Sequence, residues 1–145
     1  MSKESKPKVK IKLERDMIFK YDLGNIKPIN SYIDETNKKE SDMLGPNAAY
    51  LLAMAVLGCL NGSFIFCLKK RDFIIEDLEA KAIVKISRND KGFLRVRKID
   101  VNIKPKINTP DMRKRADQCK KMFEQYCTIT ASIREGIDVE VNLDY

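Results

Sequence analysis

The chain has 145 residues and a mass of 16.7 kDa, the size of one compact domain, which buries about 68% of its unfolded surface and needs no staples for stability. Lys plus Arg number 28 against 21 Asp plus Glu, a net charge of +7, and 43% apolar with 34% charged residues is a globular profile rather than a disordered one. There is no His, which excludes Ser-His-Asp triads, Cys-His proteases, HExxH zinc sites and His-ligated haem.

Taken in chain order, Val9, Ile11 and Leu13 alternate with Lys8, Lys10 and Lys12, the period of a half-exposed strand whose lysines suit a sheet edge. Met17 to Leu23 reads as a second strand, Gly24-Asn25 as a turn, Ile26 to Ile33 as a third strand, and Asp34 to Leu44 as a polar loop. Gly45-Pro46-Asn47 opens a long apolar segment, Ala48 to Leu68, closed by Lys69-Lys70-Arg71. Length and basic flank fit a transmembrane helix. Gly58, Asn61, Gly62 and Ser63 within it, and strands on both sides, favour a central core helix and no membrane association.

Leu78, Ala80, Ala82, Val84 and Ile86 alternate with polar residues, and Arg88 to Gly92 is turn chemistry. In the partner strand, Phe93 to Lys104, the apolar phase switches from even (Leu94, Val96) to odd (Ile99, Val101, Ile103), which predicts a bulge near Arg97-Lys98. Thr109-Pro110 starts a second helix, with Met112, Ala116, Cys119, Met122, Phe123 and Tyr126 at helical spacing. A short helical or turn segment, Thr128 to Arg134, ends at Gly136, and Ile137, Val139, Val141 and Leu143 predict a closing strand. The order β-β-β-α-β-β-α-β is an α+β pattern rich in antiparallel sheet around a long central helix. One domain, 1–145, is expected, with N-terminal strands and loop over 1–44, the helix over 45–71, and hairpin, second helix and closing strand over 72–145.

The four cysteines, Cys59, Cys67, Cys119 and Cys127, form no CxxC pair, so a zinc ribbon or thioredoxin motif is not expected. No apolar signal follows the charged start of the chain, and a cytoplasmic location with reduced thiols is the expectation. Cys67 and Cys119 read as packed core thiols. Cys59, beside Gly58, and Cys127, where the second helix ends, could form a redox pair, although buried cysteines commonly just pack. The basic residues are scattered without an aromatic or recognition-helix pattern, so solvated lysine faces account for them and no nucleic-acid partner is expected.

GPNAAYLLAMAVLGC, Gly45 to Cys59, resembles the central-helix motif of the OsmC/Ohr family, the osmotically induced and organic-hydroperoxide-resistance proteins. YCTIT, Tyr126 to Thr130, resembles that family's second cysteine motif, usually Cys-Pro-Val-Ser; IREGIDVEV, Ile133 to Val141, resembles its closing turn and strand, and Asp34-Glu35 its OsmC-like branch. The resemblance implies an intertwined homodimer with sites at the dimer interface and thiol-dependent reduction of hydroperoxides. It implies that Cys59 is the peroxidatic cysteine, Cys127 the resolving one and Arg15, beside Asp16, the activating cation. A hydroperoxide substrate and an external dithiol reductant are then the partners, with no metal or organic cofactor. Tyr50, Leu51, Met54, Phe64 and Met122 are the expected apolar walls, which would favour organic hydroperoxides over hydrogen peroxide.

Two departures stand beside this. Ala48-Ala49 occupies the place of the Pro-Glu pair of the hydroperoxide-resistance branch, with Glu35 as the candidate substitute, and Thr128 replaces the usual Pro after the second cysteine. The alternative reading is a catalytically weak or inactive OsmC-like dimer that binds a small apolar ligand.

Overall fold

A computed structural model describes residues 6, 8, 10–15, 18–22, 24, 25, 28 and 30–145; in the strands, the side chains of Ile11, Glu14, Arg15, Phe19 and Asp22 lie outside the description. The chain forms two compact units, Met1–Leu52 and Ala53–Tyr145.

In the first unit β1 (Lys10–Arg15), β2 (Ile18–Asp22) and β3 (Tyr32–Asp34) make an antiparallel sheet in the order β1-β2-β3. Arg15 pairs with Ile18, and Ile18 with Asp34, so these three form one cross-strand row. Lys10 and Lys12 are exposed on β1, as their alternation predicts. Leu13, expected on a covered face, is 58% exposed; an edge strand of a three-stranded sheet has a neighbour on one side only. Of the expected third strand, the described part is Tyr32–Asp34. The expectations for Val9, Met17, Leu23 and Ile26 fall outside the described residues.

Asp34 organises the loop that follows. Its buried carboxylate accepts the Thr36 N–H (3.0 Å) and hydroxyl (2.5 Å) on one oxygen and the Leu44 N–H (2.9 Å) on the other. Those bonds hold it below the ordinary carboxylate range, the Thr36 hydroxyl most strongly. Gly45 is required by close approach, since a Cβ there would lie 2.0 Å from the Tyr32 carbonyl oxygen. Helix α1 (Ala48–Lys69) then starts with Glu35 Oε1 accepting the Ala48 N–H at 2.6 Å and Asn47 Oδ1 accepting that of Tyr50 at 3.2 Å. An acceptor side chain at a helix start satisfies N–H groups that have no partner inside the helix.

In the second unit Val56, Leu60, Phe64, Cys67 and Leu68 are the buried stripe of α1, each repeating close to whole turns. By length and composition alone α1 could cross a membrane. The hairpin β4 (Leu78–Arg88) and β5 (Leu94–Pro105) pairs Lys85 with Lys98 and Ile86 with Val96, leaving Arg97 as the extra residue. That is the expected bulge, and it turns Ile99, Val101 and Ile103 onto α1 while Leu94 and Val96 face outward. Helix α2 (Pro110–Met122) is capped by Thr109, whose Oγ1 accepts the Met112 N–H at 3.1 Å. A 3-10 turn, Phe123–Tyr126, leads to α3 (Thr128–Glu135), closed by Gly136 at φ 83°.

The helices α1 and α2 pack through Phe64, Cys67 and Leu68 against Met112, Ala116 and Cys119. Burying each large apolar side chain contributes about 1.5–3 kcal/mol. Arg115 fixes the end of α1, its Nε and Nη2 both donating to the Cys67 carbonyl at 3.2 and 2.9 Å. Two expectations are corrected here. Cys67 and Cys119 are not free packed thiols but a disulfide, with Cα atoms 5.8 Å apart. Their apolar positions on both stripes gave no hint of it, because the same positions that bury two thiols also bring them within bonding range.

The closing strand does not form in the single chain. Residues after Gly136 carry no strand, and Ile137, Val139, Val141 and Leu143 are 63–84% exposed. Alternation sets which side chains share a face, but a strand also needs a partner for its backbone groups, and no described strand of this chain pairs with it.

Candidate functional site

Two cysteines remain free, Cys59 and Cys127. They occupy α1 and the start of α3, eight residues from Cys67 and Cys119 respectively (67 − 59 and 127 − 119). Eight residues of α-helix is about 12 Å, so α1 carries two separate cysteine levels. Phe64 and Phe123 lie between them in sequence, edge to face at 5.4 Å and 80°. The disulfide sits in one apolar cluster and the free pair in the other, with Phe123 packed against both.

The free pair is enclosed by Val56 and Leu60 from α1, Ile99, Val101 and Ile103 from β5, Phe123, and Ile133 from α3. Cys127 is fully buried and Cys59 only partly so. Cys127 is the N-cap of α3. Its Sγ accepts the Thr130 N–H at 3.5 Å and is hydrogen-bonded to Thr130 Oγ1 at 3.1 Å. Cys59 packs against the cluster that holds Cys127.

Burial pushes both thiols up, because a charged sulfur loses its water. At Cys127 the neighbouring Cys59 thiol, the hydrogen bond with the Thr130 hydroxyl and the N–H groups of Thr130 and Ile129 outweigh burial and hold the thiol below its ordinary value. At Cys59 burial and the neighbouring Cys127 thiol outweigh the N–H groups of Ile129 and Thr128, and the thiol stands above it.

Beside the pair a cavity of about 370 Å³ has an apolar floor of Val56, Leu60, Ile99 and Ile133, with Thr130 in its wall and Arg97, Lys98 and the paired Glu124 and Arg134 (2.5 Å) around it. The expected apolar walls are corrected in part. Phe64 and Met122 pack in the cluster of the disulfide, and Met54 is exposed. Arg15 ends β1, and its side chain, like all of Asp16, lies outside the described residues. Glu35 reaches the first residue of α1, the position opened by Ala48-Ala49.

Thr130 is the contributor that sequence reading left without a role. Cysteine is not among the preferred N-cap residues, so nothing in YCTIT announced that the sulfur would cap α3 and face the hydroxyl three residues on.

A family model described as OsmC-like protein matches residues 38–142. No protein of curated function matches the sequence. Among solved structures, an OsmC-like protein of unknown function from Vibrio cholerae superposes with a TM-score of 0.69 at 12% identity, covering 89% of this chain and 94% of the other. A hypothetical protein from Aquifex aeolicus gives 0.64 at 19% identity over 91% and 89%. The organic hydroperoxide resistance protein OhrB of Bacillus subtilis gives 0.62 at 21% identity over 97% and 98%.

Proposed function

Because this chain belongs to the OsmC-like family, which includes hydroperoxide resistance proteins, we propose that it is a thiol peroxidase that reduces organic hydroperoxides through Cys59 and Cys127. The observation that carries the reading is the separation of the four cysteines into a buried disulfide and two free thiols gathered in a second apolar cluster. A peroxide needs one attacking sulfur and gains a recyclable product only if a second thiol is at hand.

The Cys59 sulfur, the less buried of the two, attacks the outer peroxide oxygen. The O–O bond breaks, the alcohol leaves and a sulfenic acid remains on Cys59. Cys127 displaces the sulfenic hydroxyl as water, closing the Cys59–Cys127 disulfide. An external dithiol then exchanges with it, restoring both thiols and leaving as its own disulfide. The apolar surroundings favour a substrate carrying an organic group. Arg15 is assigned as the cation that orients the peroxide, on the resemblance of its sequence position.

A homodimer belongs to the same proposal. Exposed Ile137, Val139, Val141 and Leu143 alternate along a segment that has no strand partner among the described residues, and α1 shows solvent Met54, Ala55, Gly58, Gly62 and Phe66. A second copy would cover both.

The test is consumption of cumene hydroperoxide with dithiothreitol by the wild type, Cys59→Ser and Cys127→Ser, with Arg15→Ala alongside. Turnover lost in Cys59→Ser, and a disulfide forming only when both cysteines are present, is the expected result. Inert wild-type protein with unreactive thiols refutes the peroxidase and leaves the alternative, a ligand-binding relative using the cavity beside the pair.

A further inference from the structure

We propose that the cavity beside Cys59 and Cys127 takes a ligand with an apolar body and one carboxylate, and that Arg97, the extra residue of the β5 bulge, holds the carboxylate at its mouth. On the peroxidase reading above, on which the chemistry rests, the substrate class is an organic hydroperoxide that also carries a carboxylate. The cavity is graded from inside to outside. Val56 and Leu60, 3% and 5% exposed, and the half-buried Ile99, Val101 and Ile133 make its inner surface, while Val96, Arg97 and Lys98 are exposed at its mouth. The five inner residues are also members of the cluster that holds Cys127 and Cys59, so the inner end of a ligand lies on the side of the thiols. A volume of about 370 Å³ is that of a small-molecule site, about 300–1,000 Å³.

The charges around the cavity select the head group. Its lining holds Arg97, Lys98 and Arg134 against Glu124. Arg134 is committed to Glu124, and Lys98 to Asp100 at 3.0 Å, an aspartate also held by Lys85 at 2.9 Å. The side chain of Arg97 has no hydrogen bond or ion pair among the described residues. The bulge is what sets it apart: Lys85 pairs with Lys98 and Ile86 with Val96, which leaves Arg97 outside the ladder. A guanidinium offers two parallel N–H donors to a carboxylate, a match that an ammonium lacks. At the mouth the carboxylate keeps part of its water, so no charge has to be buried. One uncommitted cation over an apolar interior suits a single anion with an apolar tail; a polyanion would need several.

Held this way, the ligand has a fixed direction, with its carboxylate outward on Arg97 and its hydroperoxide inward on the side of the free thiols. Arg97 therefore determines specificity and takes no part in breaking the O–O bond. It acts on the end of the substrate that does not react, whereas Arg15 is assigned to the peroxide itself. Binding of this kind, equal in the ground state and the transition state, lowers KM and leaves kcat alone.

Titration calorimetry of the intact chain with octanoate, octanol and octylammonium, which differ in head group alone, tests the site without the chemistry. Wild type is expected to bind octanoate about tenfold more tightly than octanol, as for one partly exposed charge-assisted hydrogen-bonded pair. Arg97→Met is expected to remove that preference and Arg97→Glu to transfer it to octylammonium, with the melting midpoint showing that each variant folds. Lys98→Met, which removes a cation already paired with Asp100, is expected to change octanoate affinity by less than about threefold. Equal binding of octanoate and octanol by wild type, no binding of either, or the same loss in Lys98→Met as in Arg97→Met overturns the proposal. Turnover of cumene hydroperoxide and of its para-carboxylate then tests the substrate class. The carboxylate is expected to have the lower KM, by about tenfold, and Arg97→Met to bring the two KM values together while kcat for the carboxylate holds. If octanoate binds as described and neither hydroperoxide is consumed, the carboxylate site stands and the peroxidase reading falls. If cumene hydroperoxide is consumed and the carboxylate shows no advantage, the peroxidase stands and the proposed substrate class falls.

Discussion

Removing the Cys67–Cys119 bond is expected to cost this protein a large share of its stability. The bond spans 52 residues, and closing a loop of that length in the unfolded chain is worth about 4 kcal/mol on the chain-entropy account. Total stabilities of such domains are about 5–15 kcal/mol. At this size each kcal/mol moves the melting midpoint by about 2–4 °C, so the Cys67→Ala/Cys119→Ala double variant is expected to melt about 8–16 °C below wild type. Both sulfurs are buried, Cys67 at 4% and Cys119 at 0% exposure, so a reductant added to native protein reaches them only through opening of the α1–α2 contact. Scanning calorimetry of the double variant, and of wild type reduced in denaturant and refolded, gives the loss. Intact mass after alkylation with and without reduction counts the bonded thiols. The reasoning is refuted if native protein alkylated in denaturant without reductant labels all four cysteines, or if the double variant melts together with wild type.

Three further outcomes follow from the packing. Leu68→Ala empties a fully buried position beside the disulfide, and urea unfolding is expected to show a loss of about 2–5 kcal/mol; a loss under half a kcal/mol would contradict the placement of Leu68 in the α1–α2 core. Gly45→Ala forces a Cβ to within 2.0 Å of the Tyr32 carbonyl oxygen, with an expected cost of about 1–3 kcal/mol; an unchanged unfolding midpoint would show that the loop does not approach β3. Asp34 is depressed in the folded chain by Thr36 and Leu44, so its contribution is present above the unfolded carboxyl value of about 3.9 and is lost as pH falls through the lower folded value. Asp34→Asn is expected to remove that acid-limb dependence and to speed amide exchange at Leu44, and an identical acid limb in both proteins would sink the assignment.

Local chemistry made much of this protein legible from its sequence. Thr109-Pro110 read as a helix start because an acceptor hydroxyl and a fixed φ suit that position. The bulge at Arg97 was visible because side chains alternate strictly with period two, so a change of phase from Val96 to Ile99 requires an extra residue. Cys59 and Cys127 stood out as a possible pair by their places in the elements, beside Gly58 and at the end of the second helix, while their separate roles came from the resemblance of two short motifs 68 residues apart (127 − 59).

Tertiary structure alone decided the rest. Cys67 and Cys119 carry the same helical pattern whether they are free or bonded, and only the packing of α1 on α2 joins them. Ile137 to Leu143 has the alternation of a strand and remains unpaired, because a strand is stabilised by a neighbour that its own sequence does not supply. That Cys127 caps α3 is set by the path of the chain through the 3-10 turn. Patterns with short periods fix which elements form. Contacts between distant residues, whose loop-closure cost depends on the whole fold, fix which cysteines meet.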